Sequence, residues 1–326
     1  MRWVPGSRAN NLDVIGLSRT VAACLIVVAL AACTGEPRNL PAAAGEPLAA
    51  AKGGDLLYAS TIEGRVFAFS YPSGGIASTF QIQSSADVWG ACADASGNVF
   101  FTIEESATSS RIDEYAHGGT TPIGSLRDDG YVAADCASDP ASGDLAVTSF
   151  DAASGASNVA IYRKARGKPA RFSDAALTVQ FCAYDGQGDL FVDGTGKRQL
   201  AELPKAARAF RTIALSAQLV RPAGVEWDGT DLAIEDNGFH RKDAAIDRVQ
   251  IANSRGTIIG TTHLRGLANR GATFWIAGGD VVTSGGQQGN RVGRWNYPPG
   301  GRVLKIFRGE KIRGQTLYGV TISNAE

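Results

Sequence analysis

The feature that most constrains this chain is a segment that recurs every 45 residues or so. Its clearest copies are Gly90–Thr102 (GACADASGNVFFT), Asp135–Thr148 (DCASDPASGDLAVT), Phe181–Asp193 (FCAYDGQGDLFVD) and Gly224–Glu235 (GVEWDGTDLAIE). Each reads as a short apolar strand, a turn carrying Asp and Gly, and a second apolar strand. Asp and Asn tolerate positive φ and bond to their own backbone, and Gly adopts the left-handed region freely, so this is hairpin chemistry. Counting from the residue that opens the second strand gives Asp55, Asn98, Asp144, Asp189, Asp231 and Asp280, at intervals of 43, 46, 45, 42 and 49 residues. A third strand follows each one, as in Arg65–Phe69, Arg111–Tyr115, Val159–Tyr162, Gln199–Glu202, Arg248–Ile251 and Arg291–Trp295. Fourth strands are expected at 79–83, 121–126, 170–172, 210–215, 257–264 and 303–307. Four strands in each of six repeats predict an all-β protein, a six-bladed β-propeller over residues 54–326.

The ends of the repeat predict how the ring closes. The copy at Asp55 lacks a first strand, whereas Leu317–Ser323 (LYGVTIS) is a first strand with no second. Gly319–Ile322 is therefore expected to complete the blade begun at Asp55, which removes the exposed sheet edge of an open ring.

With these residues in view, GNVFFT, RVFAFSYPSGG, RIDEYAHGGTTPIG and the step Asn290–Val292 resemble the NHL-repeat propellers. They are also similar to the superfamily that includes virginiamycin B lyase and the SMP-30/gluconolactonase enzymes. The resemblance spans residues 54–326 and implies the fold more than an activity, since most of its residues are turn and core chemistry. Gly271–Asp280 departs from the pattern. It has no turn Asp, and Phe274 and Trp275 stand where other copies carry small residues.

Ahead of the repeats lies an expected export signal, residues 1–32. Arg2, Arg8 and Arg19 precede the apolar run Val21–Ala32, whose 12 residues are too few to span a bilayer. Leu30-Ala31-Ala32-Cys33 resembles a bacterial lipobox, which implies a diacylglyceryl group on Cys33 and a membrane anchor. Multiple acyl chains, at about 0.8 kcal/mol per buried CH₂, make such an anchor nearly permanent. Thr34, in place of Asp, favours the outer membrane of a two-membrane envelope. Residues 33–53, rich in Ala, Pro, Gly and Glu, bury too little to order themselves and read as a flexible tether. Beyond the signal the chain carries 29 basic and 31 acidic residues, so it lacks the basic footprint of a nucleic-acid partner.

Cys24 leaves with the signal and Cys33 is acylated, leaving Cys92, Cys136 and Cys182. An odd number argues against a disulfide framework. Placed at one register of strand one in successive repeats, they are expected to be small buried packing residues. The other readings are a thiol cluster for a soft metal, or a single disulfide. Asp94, Asp139, Asp185 and Asp228 are expected to cap their turns. Arg65, Arg111, Arg248 and Arg291 are expected to pair with neighbouring blades.

Binding groups on a propeller gather where loops enter the central channel. Trp89, Tyr131, Phe181, Arg221, Arg270 and Tyr318 precede or open first strands there, and together they suit a protein, a polymer or a small polar ligand. The loops after second strands add Glu104, Glu105, Asp193 and Gln287 among others. Of three histidines, His117 and His263 fall at peripheral positions and His240 lies on the longest such loop. Glu235, Asp236 and Asn237 beside it form a possible oxygen set for a divalent cation, with His240 as base. That set defines the alternative of a metal-dependent lactonase- or lyase-like enzyme. No catalytic set of either enzyme group can be matched residue by residue, so the primary expectation is a non-catalytic binding module without a cofactor. Its partners are expected to be the membrane, through the anchor, and an envelope protein or polymer.

Overall fold

A computed structural model describes residues 53–82, 87–195, 200–236, 244–267, 273–284, 291–308 and 317–325. The signal segment, Cys33 and nearly all of the tether lie outside the described residues, as do Asn237, His240, Arg270 and Gln287.

Six four-stranded antiparallel blades follow one another along the chain, the fifth joined by two short parallel strands. Blade 1 contains β1 (Leu56–Thr61), β2 (Arg65–Ser70) and β3 (Ile76–Gln81). Blade 2 is β4 (Asp87–Ala93), β5 (Val99–Ser106), β6 (Ser109–Tyr115) and β7 (Pro122–Asp129). Blade 3 is β8 (Val132–Ser138), β9 (Leu145–Phe150), β10 (Ser157–Tyr162) and β11 (Ala170–Phe172). Blade 4 is β12 (Thr178–Tyr184), β13 (Leu190–Thr195), β14 (Leu200–Leu203) and β15 (Arg211–Thr212), with β16 (Ala214–Leu215) just after it. Blade 5 is β17 (Pro222–Trp227), β18 (Leu232–Asp236), β19 (Ala244–Ala252) and β20 (Arg255–Arg265). Blade 6 is β21 (Phe274–Ala277), β22 (Asp280–Ser284), β23 (Val292–Asn296) and β25 (Lys305–Phe307), with β24 (Gly301–Arg302) between the last two. The final strand, β26 (Leu317–Ser323), pairs with β1 from Leu56↔Ser323 to Thr61↔Leu317 and becomes the inner strand of blade 1. The ring is a six-bladed propeller, closed as the terminal repeats require.

The strands read as continuous apolar runs because both faces of each sheet are buried. Alternate residues of one strand enter different cores. Leu56 and Tyr58 pack against Val88, Val99 and Phe101 of blade 2. Leu57 and Ala59 pack against Val282, Val292 and Phe307 of blade 6. Four further clusters fill the remaining interfaces between blades. Each fully buried Leu, Phe or Val contributes about 1.5–3 kcal/mol, so stability lies between blades rather than within them. Near the axis the inner strands approach so closely that a side chain has no room. A Cβ on Gly90 would lie 2.7 Å from the Asp135 Cα, and one on Gly319 would lie 3.0 Å from the Ala91 nitrogen.

The turn aspartates act as read. Asp94 accepts the Ser96 and Asn98 amides, Asp185 those of Gln187 and Asp189, and Asp228 those of Thr230 and Asp231. The arginine expectation is corrected for two residues. Arg111 pairs with Glu105 and Asp113, and Arg248 with Asp228 and Asp231, all within their own blades. Glu105 lies on the neighbouring strand two, Asp113 two residues along the same strand, and Asp228 and Asp231 in the turn between strands one and two, so each arginine meets carboxylates of its own blade. Blade 5 also differs from expectation at its outer edge. Its fourth strand, β20, runs 11 residues. Two neighbouring segments, β16 and β24, leave the fourth-strand regions of blades 4 and 6 to pair in parallel with it. They occupy backbone groups that a long bare edge would expose.

The cysteine expectation is overturned for two of the three residues. Cys92 and Cys136 form a disulfide between β4 and β8, with Cα atoms 5.7 Å apart, while Cys182 is free and buried. The three are not at one register. Cys92 stands two residues before its turn Asp94, whereas Cys136 and Cys182 stand three before Asp139 and Asp185. A shift of one residue turns a strand side chain to the opposite face. Cys92 therefore points forward and Cys136 backward, into the same inter-blade core. Cys182 points backward into the next core along, on the other side of blade 3.

Candidate functional site

The start of each inner strand pairs with the end of its second strand, as in Asp87↔Glu104, Val132↔Phe150, Thr178↔Thr195 and Pro222↔Asp236. This register gathers the residues before strand one and after strand two on one face of the ring. There the Trp89 ring meets Tyr318 edge to face, with centroids 4.9 Å apart and planes at 87°. The Trp89 indole N–H donates to Glu104 Oε2 at 2.8 Å. Burial raises the Glu104 carboxyl above the ordinary range, the Trp89 bond opposes this, and Asp87 adds repulsion. Burial, with Asp135 nearby, pushes the Tyr318 hydroxyl up to about 12 against the charge of Arg221.

Tyr131 lies on the same face under a cation. The Arg171 guanidinium sits 4.3 Å from its ring centroid, donates to Asn158 Oδ1 at 2.9 Å and pairs with buried Asp128. Arg221 is exposed, and its backbone N–H donates to Asp236 Oδ1 at 2.7 Å. Tyr131, Tyr318 and Arg221 are accessible on one face, and Trp89, itself buried at 8% exposure, lies just beneath it against Tyr318. Phe181 does not share it and is a correction: it is buried with Phe191, Val225 and Ile234 between blades 4 and 5. It lies two residues from Ala183 on the same strand, so both enter that core.

Of the four residues proposed for a cation, two are described. Glu235 and Asp236 are adjacent on β18, so their side chains leave opposite faces of the strand. The Asp236 carboxylate accepts the Val220 and Arg221 amides at 2.7–3.2 Å and clamps the loop before β17. Among the described residues no three His, Cys, Asp or Glu side chains are grouped to hold a metal ion. His117 faces the closing seam, its Nδ1 2.6 Å from the Ser323 hydroxyl, and His263 pairs with Ala245 on the outer part of blade 5.

Behind the aromatic face lies a set of acids that the repeat alone does not reveal. Asp135 on β8 is buried, and its Oδ2 accepts the Cys182 amide at 3.3 Å. Burial pushes its carboxyl up to about 7, against bonds from the Cys182 and Cys136 amides. Asp193 on β13 is fully buried and lies opposite Phe181, whose amide is set against its carboxyl. Glu226 on β17 keeps partial exposure, yet it is desolvated enough that burial, then Asp135, raise its carboxyl well above the ordinary range. Asp193 is raised by burial and then by Asp135, against the Phe181 amide. A signal for two of these acids is present in the sequence. Asp135 occupies the slot, four residues before the turn Asp, that holds Gly90, Phe181 and Gly224 in other copies. Glu226 occupies the slot of Cys92, Ala137 and Ala183.

Fold and face together define a six-bladed propeller with an aromatic rim over an acidic axis. The same architecture recurs in solved structures of low sequence identity. A chain in a nidogen/laminin complex superposes with a TM-score of 0.65 at 18% identity, covering 84% of this chain and 100% of that one. A protein of unknown function from Bacteroides caccae gives 0.61 at 11% identity, covering 83% and 99%. The β-propeller domain of Myceliophteria thermophila Cps50 (Swd1) gives 0.51 at 13% identity, covering 78% and 83%. No protein-family profile matches the sequence, and no curated protein matches it.

Proposed function

We propose that the chain is an exported lipoprotein, anchored through Cys33, whose propeller is a binding module for an envelope protein or polymer. The carrying observation is the Trp89–Tyr318 pair, fixed by the Glu104 bond, on the face where inner strands begin. Tyr318, braced from beneath by Trp89, shares this face with Tyr131 and Arg221, and rigidly held aromatic groups anchor a partner at low entropic cost. Three further points support the reading. The Cys92–Cys136 disulfide suits an oxidising compartment outside the cytosol. A propeller of this shape occurs in a nidogen/laminin complex, so the architecture is compatible with protein recognition. The Asp236 clamp on the Val220 and Arg221 amides occupies one of the oxygens on which the lactonase- or lyase-like alternative depends.

The test is capture from native membranes, comparing the wild-type chain with Trp89→Ala and Tyr318→Ala. Loss of a specific partner in both variants, with unchanged melting, supports the binding face. Equal capture by all three chains sinks it. Fractionation of Cys33→Ser reads the anchor separately, with release from the membrane as the expected result.

A further inference from the structure

We propose that the end of the propeller carrying the basic turns of blades 3 and 4 docks on the anionic lipid headgroups of the membrane that holds Cys33. The proposal rests on reading the chain as a lipid-anchored protein. It names the end of the ring that meets the membrane and the chemistry of that contact.

In an antiparallel blade the turns between strands one and two and between strands three and four share one end, and the aromatic face lies at the other. The described chain enters at the turn end. Gly53 to Asp55 lead into β1, a second strand, and the Gly54 carbonyl lies 3.2 Å from His117 Nε2 in the turn after β6. The turn after β10 reads Arg163-Lys-Ala-Arg-Gly-Lys168, and the turn after β14 adds Lys205 and Arg208. These cations are exposed, whereas every described carboxylate at this end is buried or half-buried. Half-buried Glu114 lies near Arg166 and offsets part of that charge. The exposed acids Glu63, Asp87 and Asp129 fall at the opposite end, after β1, at the start of β4 and at the close of β7.

The acids of the turn end are tied to backbone. Asp139 accepts the Ala141 amide and the Ser142 hydroxyl. Asp144 accepts the Lys164 amide at 2.8 Å, and Asp189 accepts the Lys205 amide at 2.6 Å. Those last two bonds hold the basic turns in place, so docking orders little further backbone. A chain of nearly balanced charge is thus polarised along its axis, with accessible cations beside the point where the N-terminal segment joins. Cys33 precedes Gly53 by 20 residues. A coil of that length reaches on the order of 25 Å, so an anchored chain keeps this end at high effective concentration beside headgroups. That proximity favours a lipid surface over a soluble polyanion. It also leaves Tyr318, Tyr131 and Arg221 facing away from the membrane, toward a partner.

The test reconstitutes the full acylated chain in vesicles of phosphatidylcholine, alone or mixed equally with phosphatidylglycerol. A water-soluble dicarbonyl reagent modifies arginine, and peptide mass spectrometry reads the rate at each site. Arg163, Arg166 and Arg208 report the turn end, and Arg127 and Arg221 the aromatic end. The turn-end arginines are expected to react at least about fivefold more slowly on the anionic vesicles, the bias that a single cation gains at such a surface. Salt that shortens the Debye length to about 3 Å should abolish the difference. Arg127 and Arg221 should react alike on both vesicles. Lys164→Glu combined with Lys168→Glu leaves every reporter in place and should remove the protection at an unchanged melting temperature. Equal rates on the two vesicles, protection that persists in high salt or in the variant, or protection of Arg127 and Arg221 instead overturns the proposal. Protein that floats with both vesicles yet reacts equally removes the docking end alone. Protein that leaves both vesicles removes the anchor, and the docking with it.

Discussion

Ala137 and Cys182 pack into one core between blades 3 and 4, in the relation that Cys92 bears to Cys136 one blade earlier. Ala137 stands two residues before Asp139, as Cys92 does before Asp94, and Cys182 stands three before Asp185, as Cys136 does before Asp139. Ala137→Cys should therefore form a second inter-blade disulfide with Cys182. Peptide mapping without reduction should find the 137–182 pair, and thiol titration of the unfolded variant should find no free cysteine between residues 54 and 326. In the chain-entropy account a loop of this length adds about 2–4 kcal/mol. A 136–182 pair, or a persistent free thiol, contradicts the facing relation.

The natural bond can be judged by removing it. Replacing Cys92 and Cys136 together by Ala deletes a crosslink 44 residues apart in sequence and also leaves a small void in a core that holds Phe100, Leu145 and Val147. The expected loss is about 2–5 kcal/mol, read as a lower melting temperature that reducing agent no longer changes. Wild type should fall toward the same temperature when reduced. A variant as stable as wild type would mean that the disulfide constrains nothing.

Asp135 predicts how stability varies with pH. Its carboxyl is raised to about 7 in the fold by burial, against an unfolded value of about 3.9. A raised acid holds its proton more tightly when folded. Its favourable contribution is complete below the unfolded value and is lost as pH rises through the folded one. The loss falls between about pH 4 and pH 7 and amounts to a few kcal/mol. Asp193 on β13 and Glu226 on β17 face the same region and titrate with it, as do Cys182 on β12 and Tyr318 on β26 at higher pH. Asp135→Asn should melt higher than wild type at pH 8 and at the same temperature near pH 4. Parallel melting profiles across that range would show that Asp135 is not the group concerned.

Much of this architecture is legible in the residues. The Asp–Gly turns recur because each hairpin needs the same local chemistry, so their spacing reports the blades directly. The orphan strand at Leu317 reports closure for the same reason. What stays hidden depends on neighbours distant in sequence. The disulfide is misread when cysteines are counted from one another and becomes readable when they are counted from the turn aspartates, since the turn sets strand parity. Arg111 and Arg248 find carboxylates on their own strand, its neighbour and the adjoining turn, and β16 and β24 lie along the length of β20. The place of Phe181 in the repeat points to the face, while its parity with Ala183 sends it into the core. Asp135 and Glu226 are visible as charged residues in slots that are small or apolar in other copies, but their influence on one another and on Asp193 appears only once the blades are side by side.

The closing strand carries the last prediction. β26 covers the inner edge of β1 through backbone pairing at five registered positions and places Leu317, Val320 and Ile322 in the core between blades 6 and 1. It also supplies Tyr318 to the aromatic face and the Ser323 hydroxyl that bonds to the Gly97 carbonyl in blade 2. A chain ending before Leu317 loses three buried aliphatic side chains, at about 1.5–3 kcal/mol each, and bares the edge of β1 to any other strand. That sum is comparable to the whole stability of an ordinary domain, about 5–15 kcal/mol. The truncated protein should therefore unfold or aggregate, seen as loss of the cooperative melt and as large species in sedimentation. Adding a synthetic peptide of residues 315–326 should restore part of the soluble fraction by re-forming the pair. A soluble truncation that melts cooperatively without the peptide would show that blade 1 is not held by its C-terminal strand.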